Sequence, residues 1–182
     1  LVQMVGSFHQ SMADLAQLPY PVVCAIQGGA AGGGLGFVWA ADIVIAADDL
    51  KLVTAFARLG VSGDGGGTWY LPQLVGLRHA LQLTLESPTV NAAEAVRFGL
   101  VTRIVARDAL QDEAESTVAR LGTGPTQSLA LQRKLIRAAS ARTMENGLLA
   151  EVDAMRISGH TTDACEGMAA FMEHRAANFS RR

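Results

Sequence analysis

Apolar residues follow two different patterns at the start of the chain, a helical spacing and a continuous run. In the first 18 residues they lie three and four positions apart, which predicts a helix that packs by one face. These positions are Val2, Val5, Phe8, Met12, Leu15 and Leu18. His9 is expected on the solvated side of this helix. Pro19 and Pro21 end the helix, and the apolar run at residues 22–26 predicts a strand that is buried on both faces.

A glycine-rich run at residues 27–36 follows this strand and precedes an apolar segment at residues 37–41. The pattern predicts strand, loop and helix, and the apolar strand at residues 42–47 completes a right-handed crossover unit. Because glycine has no Cβ, such a loop lets another molecule approach its backbone, and N–H groups at a helix start can bind a negative oxygen. A packing role between strand and helix fits the residues equally well. Nucleotide-binding signatures are weak, since no ribose-binding acid and no Gly-Lys-Ser/Thr sequence follows.

A second glycine-rich segment, at residues 56–71, contains one carboxylate, Asp64. It lies between a short strand predicted at residues 51–54 and a helix predicted at residues 68–74. Asp is a frequent helix N-cap and turn residue, and this role would explain Asp64 without any chemistry. A catalytic role is the other interpretation, and the residues alone leave both open.

The remaining segments are predicted as one strand, at residues 100–105, and a series of helices. The helices are placed at residues 77–85, 91–98, 108–121, 128–139, 144–158 and 162–177. Asn91 and Glu94 predict a capping box, and Gly99 the end of that helix. Residues 122–125 break the pattern, so we expect a core at residues 1–122 and a helical region at residues 123–182. The apolar faces of that region exceed what one helical layer can bury on itself, so it is expected to dock on the core or on another subunit.

Composition restricts the partners. A formal net charge of −2 and a pI of about 6.1 argue against nucleic acid and anionic membranes. No apolar run approaches the ~20 residues that span a bilayer, and the N-terminus lacks the features of a signal peptide. Cys24 and Cys165 are too few and too isolated for a disulfide framework or a zinc site, so we expect no metal and a cytoplasmic location. The sequence starts without Met inside a helical pattern, so upstream residues are expected to be missing.

Several segments, in collinear order, resemble the crotonase family, the enoyl-CoA hydratases and isomerases, and together they cover nearly the whole chain. They include the loop Ala31-Gly32-Gly33-Gly34 and residues 21–28, 41–46, 66–68, 71–76, 92–101 and 166–175. The resemblance implies an α/β fold: a crotonase-like ββα spiral core in residues 1–122, without its N-terminal part, and a C-terminal helical trimerisation region in residues 123–182. It also implies an acyl-CoA thioester as substrate, no cofactor beyond the coenzyme A of that substrate, and a homotrimer or hexamer.

In that family the glycine loop supplies a backbone N–H to the oxyanion hole that holds the thioester carbonyl, and the matching donor here is Gly33. Preorganised N–H groups stabilise the negative charge that develops when a proton is removed beside the thioester. The matching substrate-binding positions are Gly28, Ala31, Gly32, Phe56 and Trp69. The family's second donor belongs to an earlier part of the fold. His174-Arg175 departs from the usual Lys-Arg pair, which argues against a CoA phosphate contact there.

Hydratases of the family use two glutamates, but the matching positions here are Gly36 and Phe56. Simple hydration is therefore not expected, because no second acid/base remains to hold the water. Asp64 matches an aspartate of family isomerases, and its neighbours most resemble those of ring-epoxide phenylacetyl-CoA isomerases, although Gly63 replaces the usual Pro. The resemblance favours an isomerase in which Asp64 moves a proton along the acyl chain. The alternatives are another family reaction, such as hydration or thioester hydrolysis, and an acyl-CoA-binding protein without turnover.

Overall fold

The computed structural model describes the backbone of residues 2–180 and the side chains of residues 5–180. Contacts divide this part of the chain into two compact units, formed by residues 2–18 with 22–116 and by residues 19–21 with 117–180. The division lies inside the helix Leu110–Gly122, whereas the sequence analysis places its boundary after that helix. The packing predicted for the Val2 side chain lies outside the described side chains.

The first unit contains two small sheets. Their strands are β1 (Val23–Ile26), β2 (Gly29–Ala31), β3 (Ile43–Ala47), β4 (Lys51–Val53), β5 (Val90–Asn91) and β6 (Arg103–Val105). One sheet has the order β1-β3-β6 and is parallel, while in the other β4 pairs parallel with β2 and antiparallel with β5. The consecutive strands β1 and β2 therefore belong to different sheets. The chain turns between them at Gly28, whose φ of +65° suits glycine.

The helices that begin in this unit are α1 (Val2–Gln17), α2 (Leu35–Ala40), α3 (Phe56–Leu59), α4 (Gly67–Leu85), α5 (Ala92–Phe98) and α6 (Leu110–Gly122). Non-helical angles at Gly76 interrupt α4, in agreement with the two helices predicted on either side of that residue. The capping box of α5 is confirmed, since the Asn91 side chain accepts the Glu94 N–H and the Glu94 side chain accepts the Asn91 N–H, both at 3.0 Å.

Buried apolar side chains from α2, both sheets and α4 form the main core of the first unit. Leu35 and Trp39 of α2 are buried together with Val44, Leu52 and Leu71. β1 and β3 pair in parallel from Val23 with Ile43 to Ile26 with Ala46, so the predicted crossover through the glycine run and α2 is confirmed. The short elements β2, β5 and α3 were not predicted.

The second unit consists of the C-terminal part of α6 and the helices α7 (Thr126–Arg137), α8 (Met144–Ser158) and α9 (Thr162–Met172). The bounds of α8 agree with the prediction, but the extension of α9 to residue 177 was wrong. His174 takes a left-handed conformation (φ +53°), and the Arg175 N–H returns to the Ala170 carbonyl at 3.0 Å. This arrangement closes a helix and turns the chain away. None of the described helices is long and apolar enough to cross a membrane.

Candidate active site

The glycine run folds as three consecutive pieces. After the turn at Gly28 it forms β2, then a 3-10 turn at Gly32–Gly34, and then continues directly into α2. Gly33 therefore lies in the first turn of a helical segment, where backbone N–H groups generally lack partners within the helix. This is the position that the sequence analysis assigned to the oxyanion donor.

The loop that carries Asp64 lies against the glycine run, backbone to backbone. A Cβ placed on Gly65 would be 2.6 Å from the Gly33 carbonyl oxygen, and a Cβ placed on Gly36 would be 2.6 Å from the Gly65 carbonyl oxygen. Real Cβ atoms do not approach other heavy atoms so closely, so both positions require glycine for this contact. The two glycine-rich segments, at residues 27–36 and 56–71, therefore pack directly against each other.

The two carboxylate oxygens of Asp64 have different surroundings. Oδ1 accepts the Gly65 N–H at 2.6 Å and contacts Nε2 of His9. Oδ2 faces the glycine run, 3.7 Å from where a Cβ on Gly33 would be. The N-cap of α4 is Gly66, so the prediction that Asp64 caps this helix is wrong. The prediction of a turn residue is confirmed, because the Asp64 carbonyl accepts the Gly67 N–H at 3.2 Å. The Asp64 side chain, of which 24% is exposed, thus lies beside Gly33, the predicted oxyanion donor.

His9 lies on the solvated side of α1, as predicted, with 51% of its side chain exposed. Its Nε2 also contacts Oδ1 of Asp64, a partner that the sequence did not predict. The neighbouring Phe8 ring lies close to Gly33 and meets Phe37 of α2 edge to face, with ring centroids 5.6 Å apart. The spacing of apolar residues predicts which face of α1 is buried, but it cannot show that a loop 55 residues later reaches the edge of that face.

A narrow apolar pocket opens beside Asp64. Its apolar lining comes from Leu35, Trp39, Phe56 and Leu71, and Asp64 is the only ionisable side chain among the described residues that line it. The glycine run contributes Gly32 to the same pocket. Within residues 2–180, no group of three or more His, Cys, Asp or Glu side chains is arranged to hold a metal ion.

The other predicted substrate-binding residues are divided between the pocket and its surroundings. Gly32 and Phe56 line the pocket, and a Cβ on Gly32 would be 3.9 Å from Cζ of Phe56. Ala31 lies in β2 directly before the 3-10 turn. Trp69 lies outside the pocket, 55% exposed on α4 with its ring against Tyr70, and Trp39, which the sequence analysis did not select, supplies the indole at the pocket.

Gly28 has a structural contact that the sequence analysis did not anticipate. Its N–H donates to Oδ1 of Asp49 at 3.0 Å, and Arg107 pairs with the same carboxylate. The Gly28 hydrogen bond, followed by the charge of Arg107, holds the pKa of Asp49 below its usual range. The Gly28 N–H is therefore engaged by the protein itself.

The chain just before Phe56 is held by a cluster of hydrogen bonds. The buried Ser87 hydroxyl accepts the Ala55 N–H at 2.9 Å and lies 3.1 Å from the Thr54 hydroxyl, which donates to the Leu83 carbonyl at 2.7 Å. These bonds tie the segment before α3 to the end of α4. The Phe56 ring thus lines the pocket from a backbone segment that these hydrogen bonds hold in place.

Comparison with known proteins assigns the family. The profile described as "Enoyl-CoA hydratase/isomerase" matches residues 3–182, so the chain belongs to the enoyl-CoA hydratase/isomerase family. The chain is similar to a crystal structure of an enoyl-CoA hydratase from Bacillus anthracis, with a TM-score of 0.93 and 30% identity over 98% of this chain and 69% of the other. The predicted crotonase fold is thereby confirmed.

Curated relatives carry both isomerase and hydratase names. The 1,2-epoxyphenylacetyl-CoA isomerase of Escherichia coli is 39% identical over 173 residues, which are 95% of this chain and 66% of the relative. A "Probable enoyl-CoA hydratase" of Rhodobacter capsulatus is 35% identical over 90% of this chain and 64% of the relative. The chain thus spans about two thirds of the length of these relatives.

Proposed function

We propose that the protein is an acyl-CoA isomerase that moves a proton between two carbons of a CoA thioester through an enolate. The observation that supports this most directly is the orientation of Asp64, whose Oδ2 faces Gly33 beside an apolar pocket. One carboxylate can serve as the base in the first half of an isomerisation and as the acid in the second.

In the first half, the Asp64 carboxylate takes a proton from a carbon of the acyl chain. The electron pair of the broken C–H bond moves toward the thioester carbonyl, whose oxygen becomes negative. The Gly33 N–H, fixed at the start of a helical segment, donates a hydrogen bond to that oxygen. Removing one such donor typically lowers the rate by about 10²–10³-fold.

In the second half, Asp64, now a neutral acid, returns the proton to a different carbon, and the enolate electrons reform the carbonyl. The carboxylate is regenerated, so no net proton is gained or lost. Leu35, Trp39 and Phe56 exclude water from the reacting carbons, which protects the enolate from side reactions.

Hydration is disfavoured by the same residues. Adding water requires a second group that holds the water and takes its proton. The two positions where hydratases carry glutamates are Gly36, which has no space for a Cβ, and Phe56. The substrates that we propose are enoyl-CoA and ring-epoxide phenylacetyl-CoA thioesters. The second is supported by the isomerase name of the Escherichia coli relative and by the two aromatic rings at the pocket.

We also propose, from the family resemblance, that the protein uses no cofactor beyond the coenzyme A of its substrate and assembles as a homotrimer or hexamer. Support for assembly comes from a stripe of exposed apolar side chains on α8. Leu148, Val152 and Met155 lie four and three positions apart and are 54–71% exposed. A stripe of this kind usually marks a surface that another chain covers.

Substitution of the acid/base tests the proposal. Asp64→Asn keeps the size of the side chain but cannot take up a proton, so kcat for isomerisation should fall by at least about 10²-fold. Turnover of enoyl-CoA and ring-epoxide phenylacetyl-CoA substrates would be followed by chromatography of the products.

Asp112→Asn is the matched control, since Asp112 is an exposed carboxylate in the first turn of α6. It should retain wild-type kcat. A folded Asp64→Asn protein with full isomerase turnover would end the assignment of Asp64.

A further inference from the structure

Two apolar side chains fix the rotation of α1 about its own axis. Phe8 contacts Phe37 edge to face, and its Cε1 is 3.6 Å from where a Cβ on Gly33 would be. One turn later Met12 is buried, with its Sδ 3.0 Å from the corresponding position on Gly36. Residues four apart lie on one face of a helix, so these two contacts fix the orientation of that face. They therefore also determine the direction in which residue 9, which follows Phe8, points.

That rotation brings His9 to Asp64. Nε2 of His9 contacts Oδ1, which also accepts the Gly65 N–H at 2.6 Å. Oδ1 thus has partners from two separate segments, α1 and the loop before α4. Oδ2 faces Gly33 instead. Rotation of the carboxylate about its Cβ–Cγ bond would break both bonds to Oδ1, so the two oxygens are held in distinct places.

We propose that His9 is a positioning residue, which fixes Oδ2 of Asp64 as the oxygen that takes and returns the proton. The proposal rests on the function proposed above, because it gives His9 a role only if Asp64 is the acid/base. Misplacing a reacting group by about 1 Å can lower a rate by about 10²-fold. A wrongly rotated carboxylate is therefore expected to lower kcat and to leave KM nearly unchanged. An ion pair with such an exposed member contributes little to stability, so a loss of His9 should not unfold the protein.

The test compares two substitutions at position 9. His9→Leu removes the hydrogen-bonding group and should lower kcat by roughly 10–100-fold, with KM within about twofold of wild type. His9→Gln keeps an N–H donor that can reach Oδ1 and should retain kcat within about fivefold of wild type. His79→Leu is the control, because His79 is exposed on α4, hydrogen-bonds the Val75 carbonyl of its own helix and contacts the Phe98 ring, away from Asp64. It should leave both constants unchanged.

Three results would overturn the role of His9. These are an unchanged kcat in His9→Leu, an equal loss in His9→Leu and His9→Gln, and a raised KM with normal kcat. Asp64→Asn, measured in parallel, separates this proposal from the proposed function. If Asp64→Asn is inactive while His9→Leu is fully active, only the role of His9 fails; if Asp64→Asn is fully active, the proposed function fails as well.

Discussion

At the scale of single residues, contact between two backbones leaves no space for a side chain at positions 36 and 65. Gly36 packs directly on the Gly65 carbonyl, and Gly65 packs on the Gly33 carbonyl. A glutamate at position 36 would need space that the Asp64 loop already occupies. The absence of a side chain at position 36 and the close position of the Asp64 loop are therefore two aspects of one packing arrangement.

The packing at Gly36 predicts a large effect from a single methyl group. Gly36→Ala places a Cβ about 2.6 Å from the Gly65 carbonyl oxygen, and relieving this overlap should cost about 1–3 kcal/mol of unfolding free energy. Denaturant unfolding of the purified variant would measure the change.

Gly34→Ala is the matched control, two residues earlier in the same run. Gly34 has helical angles (φ −57°, ψ −24°) and nothing within 4 Å of its Cβ position. Its substitution should change stability by less than about 1 kcal/mol in either direction. Equal stabilities of the two variants would contradict the described contact between the loops.

At the scale of secondary-structure elements, the end of α9 depends on a carboxylate in its own sequence. Glu166 accepts two hydrogen bonds from the Arg175 guanidinium, at 2.6 and 3.0 Å, and one from the Asn178 N–H at 2.7 Å. Arg175 and then the Asn178 N–H lower the pKa of Glu166 to about 2. These bonds hold the segment after α9 back along the helix.

The lowered pKa of Glu166 predicts how stability depends on pH. A carboxyl with a pKa lower in the folded state than in the unfolded state stabilises the fold above its unfolded pKa, and this contribution is lost as pH falls toward the folded pKa. The stability difference between wild type and Glu166→Gln should therefore be constant near neutral pH and shrink from about pH 4.5 to about pH 2.

Denaturant unfolding of wild type and Glu166→Gln across that pH range measures this dependence. Glu151→Gln is the control, because Glu151 is exposed on α8, and its difference from wild type should show no such decline. A difference in unfolding free energy between wild type and Glu166→Gln that stays the same down to pH 2 would contradict the lowered pKa of Glu166.

The elements that the sequence predicts well are those with local signals. The capping pair Asn91 and Glu94 lies three residues apart and marks the start of α5 by itself. β2 and β5 have no such signal, because they are two or three residues long and exist only through pairing with β4. The end of α9 was also missed, since it depends on contacts from residues that follow the helix.

The same distinction holds for the site. Family resemblance alone pointed to Gly33 and Asp64, which the fold brings together. It gave no signal for His9, whose partner is 55 residues away, or for Trp39, which replaces Trp69 at the pocket because α2 faces the core. Long-range packing between loops and helices cannot be deduced from the spacing of residues along one helix.

At the scale of the whole molecule, assembly is the property that the exposed stripe on α8 predicts. If subunits cover this stripe, Val152→Glu should convert a trimer or hexamer to smaller species in sedimentation velocity, because a charge in an apolar interface is left unpaired. Leu85→Glu, at an equally exposed apolar position at the end of α4, should leave the assembly intact. A monomeric wild-type protein would contradict the proposed trimer.

The most direct test of the central claim is mass spectrometry of the acyl-CoA products formed in deuterated water. The purified protein would be incubated with enoyl-CoA and ring-epoxide phenylacetyl-CoA thioesters, alongside Asp64→Asn. The account predicts an isomer of the substrate, separated from it by chromatography, that is formed by wild type and lost in Asp64→Asn. Because Asp64 returns the proton that it has taken, the acyl group of this isomer should gain little solvent deuterium. A product heavier by one water, release of free coenzyme A, or tight binding without any product would contradict it.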